Sequence, residues 1–433
     1  MDFRGCNCKN ITITEGIFGE IWVENDGDQI FTDSIPKIIK SYTMANTNQM
    51  EVTVITWGAT IISLKCPDKY GHSADVVLGF DDLKGYMNPM TNPFIGCILG
   101  RCANRIKYGH ITIKGRDYEL TKNDFNGKHH LHGGVNGFGR KVWDSYIAGC
   151  SVVMSYLSQD GEEGYPGAVL TTIRFKLTAD NKLEMCMRAT TSKPTIVNLS
   201  HGSVFNLAGH DAGEVELKKH KILLNCDRWT FADYTDPVPT GAIRGVGGTV
   251  MDFRIPRVLG EYMEKVPFGE GYDHNFCITK NGQSGSSFVA KAWHVKSGRI
   301  LEIYSDQCGV QFYTGGRLPP QIIPKFSTNY DLLQTDNNVE ENNESYSSDA
   351  EHSGEEMHIE KPWGRIISEP KGLEFLLGKQ GARYKKYCGF SIQPQNYPNA
   401  IHYSHFPCSI LYPGQIYCHD LTYKFEIQLA NYM

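Results

Sequence analysis

The chain lacks long hydrophobic runs and a surplus of positive charge. No stretch of its 433 residues approaches the roughly 18 uninterrupted apolar residues that a membrane-spanning helix needs. Lysine and arginine number 43 against 48 aspartate and glutamate residues, a formal net charge of −5. Because nucleic acids and anionic membranes bind basic surfaces, we expect neither as a partner.

Cysteine pairs, cofactor motifs and a secretory signal are also missing. The 13 cysteines include no CxxC pair, and we expect reduced thiols that pack as small hydrophobic side chains. No P-loop is present and no GxGxxG segment follows a predicted strand. The first six residues contain no apolar segment, and we expect a cytoplasmic protein.

What the chain does contain is a long series of short β-branched and aromatic runs separated by turn signals. Residues 51–61 are partly alternating and are broken at Gly58, which indicates two strands joined by a turn. No apolar stripe with helical period is longer than about three turns. The pattern predicts an all-β fold, a large antiparallel β-sandwich rather than two unlike domains.

The predicted organisation is one β domain with an extension and an insertion. Residues 1–40 are interpreted as an N-terminal extension and residues 41–433 as the β-sandwich domain. Residues 331–357 contain nine acidic residues and no lysine or arginine. That composition buries too little apolar surface to offset the entropy of ordering, so we expect a disordered acidic insertion at about 329–360.

Polar clusters at glycine turns carry the residue types of a carbohydrate site. An Asn-Arg pair lies in segment 100–106, and three histidines lie in segment 128–134. No carboxylate or cysteine lies at ligand spacing from these histidines, so no metal site is expected. Further Asp, Asn, Gln and aromatic residues occur in segments 160–167, 198–209, 238–241, 271–276, 309–315 and 395–400.

Taken in order, these segments resemble the aldose 1-epimerase (galactose mutarotase) family. The resemblance runs from about Tyr42 to the C-terminus and includes Trp-Gly-Ala-Thr-Ile at 57–61 and Leu-Tyr-Pro-Gly at 411–414. It implies a β-sandwich of the supersandwich type that acts without a cofactor on a monosaccharide, galactose or glucose. We expect such a protein to be a monomer.

The reaction implied by the resemblance interconverts the α- and β-anomers of an aldose through ring opening. One group removes the proton of the C1 hydroxyl while another protonates the ring oxygen. The aldehyde then rotates and closes on its other face. A carboxylate base and a histidine acid suit this chemistry near neutral pH.

The resemblance assigns five residues to sugar binding. Asn104 and Arg105 match the family's Asn-Arg pair, and His132 matches its Leu-His-Gly-Gly histidine. Asp273 matches the aspartate of Gly-Tyr-Asp-His-Asn-Phe, and Gln311 matches the glutamine of Val-Gln-Phe-Tyr-Thr-Gly. The structural alternatives are a surface ion pair for Arg105, turn capping for His132 and an Asx turn for Asp273.

Both positions of the implied proton relay depart from the family pattern. The family's acid histidine falls on Gly202, and His201 occupies the preceding position. A shift of one residue along a strand turns a side chain to the opposite face, so His201 can act as the catalytic acid only if a bulge re-aims it. The base glutamate falls on Gln393, whose carboxamide can hydrogen-bond a sugar hydroxyl but lacks useful basicity.

Three functional hypotheses follow from these residues. The first is an aldose 1-epimerase for galactose or glucose, slowed by His201 and Gln393 at the catalytic positions. The second is a catalytically impaired sugar-binding homologue. The third, a glycan-processing enzyme with Glu162 and Glu163 as paired carboxylates, is disfavoured because hydrolysis needs two carboxylates flanking one bond. We expect these two glutamates to be solvated loop residues instead.

Overall fold

The computed structural model describes residues 10–21, 36–124, 127–233, 236–267, 270–280, 282, 284–320 and 373–428. They belong to one compact unit, Met1–Gln321 with Leu373–Met433. The acidic insertion expected at about 329–360 lies outside the described residues. The described α-helices have five residues each, Leu83–Met87 (α1), Gly213–Leu217 (α2) and Leu259–Met263 (α3). No helix in the described ranges is long and apolar enough to cross a bilayer.

Strands make up most of the regular structure. The first half of the chain contains Ile11–Ile21 (β1), Lys37–Asn46 (β2), Glu51–Ile55 (β3), Thr60–Pro67 (β4), Ser73–Asp75 (β5), Ile98–Leu99 (β6), Arg105–Ile106 (β7), His110–Ile113 (β8), Arg116–Glu119 (β9), His130–Leu131 (β10), Asp144–Ala148 (β11), Ser151–Ser158 (β12), Val169–Leu177 (β13), Lys182–Thr191 (β14), Thr195–Ile196 (β15) and Ser200–His201 (β16). The second half contains His220–Leu224 (β17), Cys226–Asp233 (β18), Asp236–Gly245 (β19), Arg257–Val258 (β20), Asp273–Ile278 (β21), Ser287–His294 (β22), Arg299–Ser305 (β23), Gly309–Tyr313 (β24), Leu376–Leu377 (β25), Arg383–Tyr384 (β26), Ser391–Gln395 (β27), Ile410–Leu411 (β28) and Tyr417–Ile427 (β29).

Among the described residues, three large antiparallel sheets build the architecture, and shorter two-stranded ladders accompany them. The largest has nine strands in the order β11-β12-β13-β14-β29-β23-β22-β17-β20, and two five-stranded sheets have the orders β1-β2-β3-β4-β5 and β19-β18-β21-β24-β27. Side chains of β13 alternate, with Ile173 and Phe175 in the core and Leu170 exposed. This alternation is typical of a sheet with one face on the core. The prediction of an all-β antiparallel sandwich is confirmed.

Residues on both sides of the expected N-terminal boundary belong to paired strands. β1 pairs with β2 from Ile11 opposite Asn46 to Ile21 opposite Lys37. Ile11 and Ile13 pack against the main core. The boundary expected between residues 40 and 41 therefore falls inside β2.

Most of the described cysteines are free thiols. The ten free cysteines include the buried Cys66, Cys97 and Cys226, which pack as small hydrophobic side chains. Cys150, however, is disulfide-bonded. The expectation of reduced thiols is therefore wrong at Cys150.

Candidate active site

Three of the predicted site residues share one face of the sheet that contains β21, β24 and β27. Gln311 of β24 lies directly opposite Asn275 of β21 and Gln393 of β27. Directly opposed residues of an antiparallel ladder point to the same face. Asp273 lies two residues before Asn275 and so shares that face as well. Register alone thus brings Asp273, Gln311 and Gln393 together.

A short ladder between β7 and β10 places Asn104, Arg105 and His132 side by side. Leu131 is paired with Arg105, and the next residue, His132, exchanges two hydrogen bonds with Asn104. The His132 N–H donates to the Asn104 carbonyl at 3.1 Å, and the Asn104 N–H donates to His132 Nδ1 at 3.1 Å. Asn104 and His132 have φ values of 67° and 52°, a left-handed conformation in which Asn and His are enriched.

Arg105 connects this ladder to the sheet. Its Nε donates to Asp124 Oδ2 at 2.5 Å, and its Nη1 lies 3.5 Å from Asp273 Oδ2. Gln311 Nε2 donates to the other oxygen of Asp273 at 2.7 Å. Arg105 is only 6% exposed, so its guanidinium is a buried bridge between two carboxylates rather than part of a surface ion pair. No pattern in the sequence singles out Asp124, which precedes the histidine segment.

The charges of the cluster determine its protonation. Burial opposes ionisation of Asp273, but the positive charges of Arg105 and Arg317, together with the Gln311 hydrogen bond, lower its pKa to about 2. Burial and the charge of Arg105 lower the pKa of His132 to about 3. Since Nδ1 of this neutral imidazole accepts the Asn104 N–H, its proton resides on Nε2. Near neutral pH the site therefore offers an ionised carboxylate acceptor and a neutral imidazole donor.

Gln393 is held at the same face by a hydrogen bond to the hydroxyl group of Ser391. Its Nε2 donates to Ser391 Oγ at 2.9 Å, and Ser391 Oγ donates in turn to the Ser203 carbonyl at 2.6 Å. The side chain is buried. On the opposing strand, the Oε1 atom of Gln311 is buried and accepts no hydrogen bond from the described residues. Gln311 thus contacts the Asp273 carboxylate, Gln393 lies opposite Gln311 on the next strand, and neither carboxamide can act as a base near neutral pH.

His201 does not join this cluster. Ser200 and His201 form a two-residue ladder with β6, without a bulge that would turn the histidine. The ring is fully buried, and its centroid lies 6.1 Å from that of Tyr423, a core residue of β29. Burial lowers the pKa of His201 to about 3. This placement does not favour the catalytic role expected for His201, which stays a prediction, because the one-residue displacement directs its ring toward the core.

The space beside Gly202 is filled by the backbone of a neighbouring loop. The Gly202 N–H donates to the Cys97 carbonyl at 2.8 Å, and the Gly202 carbonyl accepts from the Gly96 N–H at 2.8 Å. A Cβ atom at position 202 would lie 2.4 Å from the carbonyl oxygen of Phe94. The Phe94 ring lies 5.1 Å from the His132 ring. Sequence reasoning missed Phe94, since nothing in the order of residues indicates that segments 94–97 and 201–203 meet.

The assembled groups match the hydrogen-bonding needs of a polyhydroxylated ligand. A guanidinium, an imidazole N–H, a carboxylate and two carboxamides supply donors and acceptors within one cluster. In the described part of the chain, no group of three or more His, Cys, Asp or Glu residues is placed to hold a metal ion. Such a set of donors and acceptors suits a ligand that carries several hydroxyl groups.

Sequence comparison finds a matching family model and relatives similar to this chain. The family model for aldose 1-epimerase matches residues 40–424. A galactose mutarotase from Bos taurus is 33% identical over 417 residues, covering 96% of this chain and 99% of that protein. A galactose mutarotase from Homo sapiens is 34% identical over 378 residues, covering 87% of this chain and 92% of that protein.

Solved structures agree with that relationship. A GalM/aldose epimerase homologue from C. elegans superposes with a TM-score of 0.69 at 28% identity, covering 88% of this chain and 97% of that one. A galactose 1-epimerase from Lactobacillus acidophilus has a TM-score of 0.67 at 19% identity, covering 96% of this chain and 99% of that one, and shows the fold alone. Together with the family match, these similarities show that the chain belongs to the aldose 1-epimerase family of isomerases.

Proposed function

We propose that the protein is an aldose 1-epimerase for galactose or glucose in which the proton relay is weakened. The observation that carries this proposal is the connected cluster in which Arg105 joins Asp273 to Asp124 beside Asn104 and His132. Relatives of comparable length are named galactose mutarotase, which supports a hexose as the ligand.

Each group of the cluster has a role in this proposal. Asp273 and Gln311 bind sugar hydroxyls, and Arg105 keeps the Asp273 carboxylate ionised. His132 donates its Nε2 proton to a sugar oxygen. Ring opening still needs a base at the C1 hydroxyl and an acid at the ring oxygen. Gln393 supplies no base and Gly202 supplies no acid, and each missing group costs about 10²–10⁴-fold in rate.

A second function, sugar binding without useful turnover, is favoured by the loop at Phe94. Its carbonyl occupies the space into which a side chain at position 202 would project. The binding groups remain, while both proton-transfer positions lack titratable side chains. Such a protein would take up a sugar and release it unchanged.

Polarimetry of α-galactose with purified protein distinguishes the two functions. The expected result is a rate of anomer conversion above the spontaneous rate and proportional to protein concentration. Calorimetric titration with galactose on the same sample reports binding. Binding without acceleration would leave only the second function, and the absence of binding to either galactose or glucose would exclude both.

The proposal also includes that the protein works as a monomer in the cytoplasm, with no nucleic acid or membrane partner. The acidic net charge supports the lack of nucleic acid and membrane partners, because both bind basic protein surfaces. Sedimentation of the purified protein as a dimer or larger species would contradict the monomer.

Replacing Arg105 by alanine is expected to weaken galactose binding by about 10- to 100-fold, because buried Asp124 and Asp273 lose their shared cation. Calorimetric titration measures the change, and Arg105→Lys, which keeps the charge but not the two-sided donor geometry, should lose less. Arg254→Ala removes an exposed arginine paired with Asp252 and serves as the matched control. Unchanged affinity in Arg105→Ala would show that the pocket has been misplaced.

A further inference from the structure

Glu162 and Glu163 were expected to be solvated loop residues, but the turn that carries them packs against the candidate active site. Glu162 is mostly buried and pairs with Lys141 at 2.6 Å. Glu163, with φ of 53°, accepts the Thr121 N–H through its backbone carbonyl at 3.1 Å. Neither glutamate is therefore a free loop carboxylate, and the side chain of Glu163 reaches the turn that follows His132.

Glu163 caps that turn with both carboxylate oxygens. Oε1 accepts the Asn136 N–H at 2.7 Å, and Oε2 accepts the Val135 N–H at 3.2 Å. Hydrogen bonds to an ionised acceptor are about twice as strong as those between neutral groups. The carboxylate thus ties down two consecutive backbone amides within four residues of the His132 imidazole.

The turn that follows His132 has no free space beside its two glycines. A Cβ atom at Gly134 would lie 2.0 Å from Glu163 Oε2, and one at Gly133 would lie 1.8 Å from the Gly100 carbonyl oxygen. Both glycines also have a positive φ, 89° at Gly133 and 103° at Gly134, which residues with a side chain rarely adopt. The turn is therefore held between the backbone at Gly100 and the carboxylate of Glu163.

A buried arginine fixes the segment from which Glu163 projects. Arg101 is 1% exposed and donates to the Ser158 hydroxyl at 2.8 Å and to the Gly167 carbonyl at 2.7 Å. Further donations go to the carbonyls of Ser158, Gln159 and Pro166. These contacts join the two ends of the turn that carries Glu163. They therefore hold the backbone from which the Glu163 carboxylate projects.

We propose that Glu163 is a positioning residue that orients the His132 imidazole toward the sugar, an inference that rests on the proposed function of the pocket. His132 adopts a left-handed backbone, and its Nδ1 must accept the Asn104 N–H for Nε2 to remain the donor. Loss of the cap frees the turn to move, which breaks that bond and misdirects Nε2. Glu163 acts through His132 and does not itself touch the ligand.

Amide hydrogen exchange tests the cap without any ligand. In Glu163→Ala, the Val135 and Asn136 amides are expected to exchange at least about tenfold faster, while amides of β13 keep their rates. Glu163→Gln retains one acceptor oxygen and should show a smaller effect. Glu119→Ala removes an exposed carboxylate from the same region and is the matched control. Unchanged exchange at Val135 and Asn136 would overturn the cap.

A double-mutant cycle on galactose affinity tests the route through His132. Glu163→Ala is expected to weaken binding about tenfold in the wild-type background and less than about twofold when His132→Ala is already present. An equal loss in both backgrounds would mean a general structural role and would overturn the positioning assignment. If Glu163→Ala does not fold, the cycle is run with Glu163→Gln. Wild-type protein that binds no galactose would contradict the proposed function while leaving the exchange result valid.

Discussion

Replacing Gln393 by glutamate is expected to raise the rate of galactose mutarotation by about 10²–10⁴-fold over the wild type. Ring opening needs a proton acceptor at the C1 hydroxyl, and a carboxamide cannot accept that proton. Asp273 is a poor substitute, since the surrounding positive charges lower its pKa to about 2. A carboxylate at position 393 would therefore be the first effective base in the site.

The surroundings of Gln393 favour a base of useful strength. Ser391 Oγ already donates its proton to the Ser203 carbonyl, so it presents a lone pair to the Gln393 side chain. A buried carboxylate beside another acceptor has a raised pKa, which brings it toward neutral pH, where general bases are most effective. The rate of Gln393→Glu should consequently rise with pH until the new carboxylate is fully ionised.

The matched control is Gln393→Met, which keeps the length of the side chain and supplies no base. Polarimetry should show a rate above that of the wild type only for the glutamate variant. Gly202→His is left out of the comparison because its Cβ would meet the Phe94 carbonyl at 2.4 Å and would force the loop to move. If Gln393→Glu turns over no faster than the wild type, the base position has been assigned wrongly.

Acidification from pH 7.5 to 5.5 is expected to lower the free energy of unfolding by at least about 5 kcal/mol. Burial lowers the pKa of four fully buried histidines to about 3 or 4, whereas their ordinary value is 6.5; these are His130, His201, His220 and His419. Below pH 6.5 these histidines bind protons in the unfolded chain but stay neutral in the folded chain. Each histidine then costs about 1.4 kcal/mol per pH unit until its folded pKa is reached.

Urea unfolding at a series of pH values measures this effect. The stability of the folded state should be complete above pH 6.5 and should fall as the pH drops toward 4. His201→Gln should bind about one proton fewer on unfolding and so reduce the slope, and His72→Gln, which alters an exposed side chain, should leave it unchanged. Equal stability at pH 7.5 and 5.5 would contradict the assignment of these histidines as neutral and buried.

Much of the candidate site was predictable because its residues lie in segments whose order resembles one family. Asp273, Gln311 and Gln393 were identified by matching motifs, and the register of β21, β24 and β27 brings them to one face. The roles expected for these residues remain predictions until the variants above are measured. Asp124 was not predicted as a site residue, because its ion pair with Arg105 depends on two segments meeting in space, which no local pattern encodes.

The sequence by itself determined the all-β class, since alternation and turn residues are local properties of the chain. It also determined that positions 202 and 393 carry no acid and no base, because that follows from residue identity. Only the tertiary structure decided that His201 faces Tyr423 in the core and that the Phe94 carbonyl lies against Gly202. It likewise showed that Glu163, which was expected to be solvated, caps the turn after His132. Side-chain direction and long-range proximity depend on how distant strands pack, and that information appears only when the chain has folded.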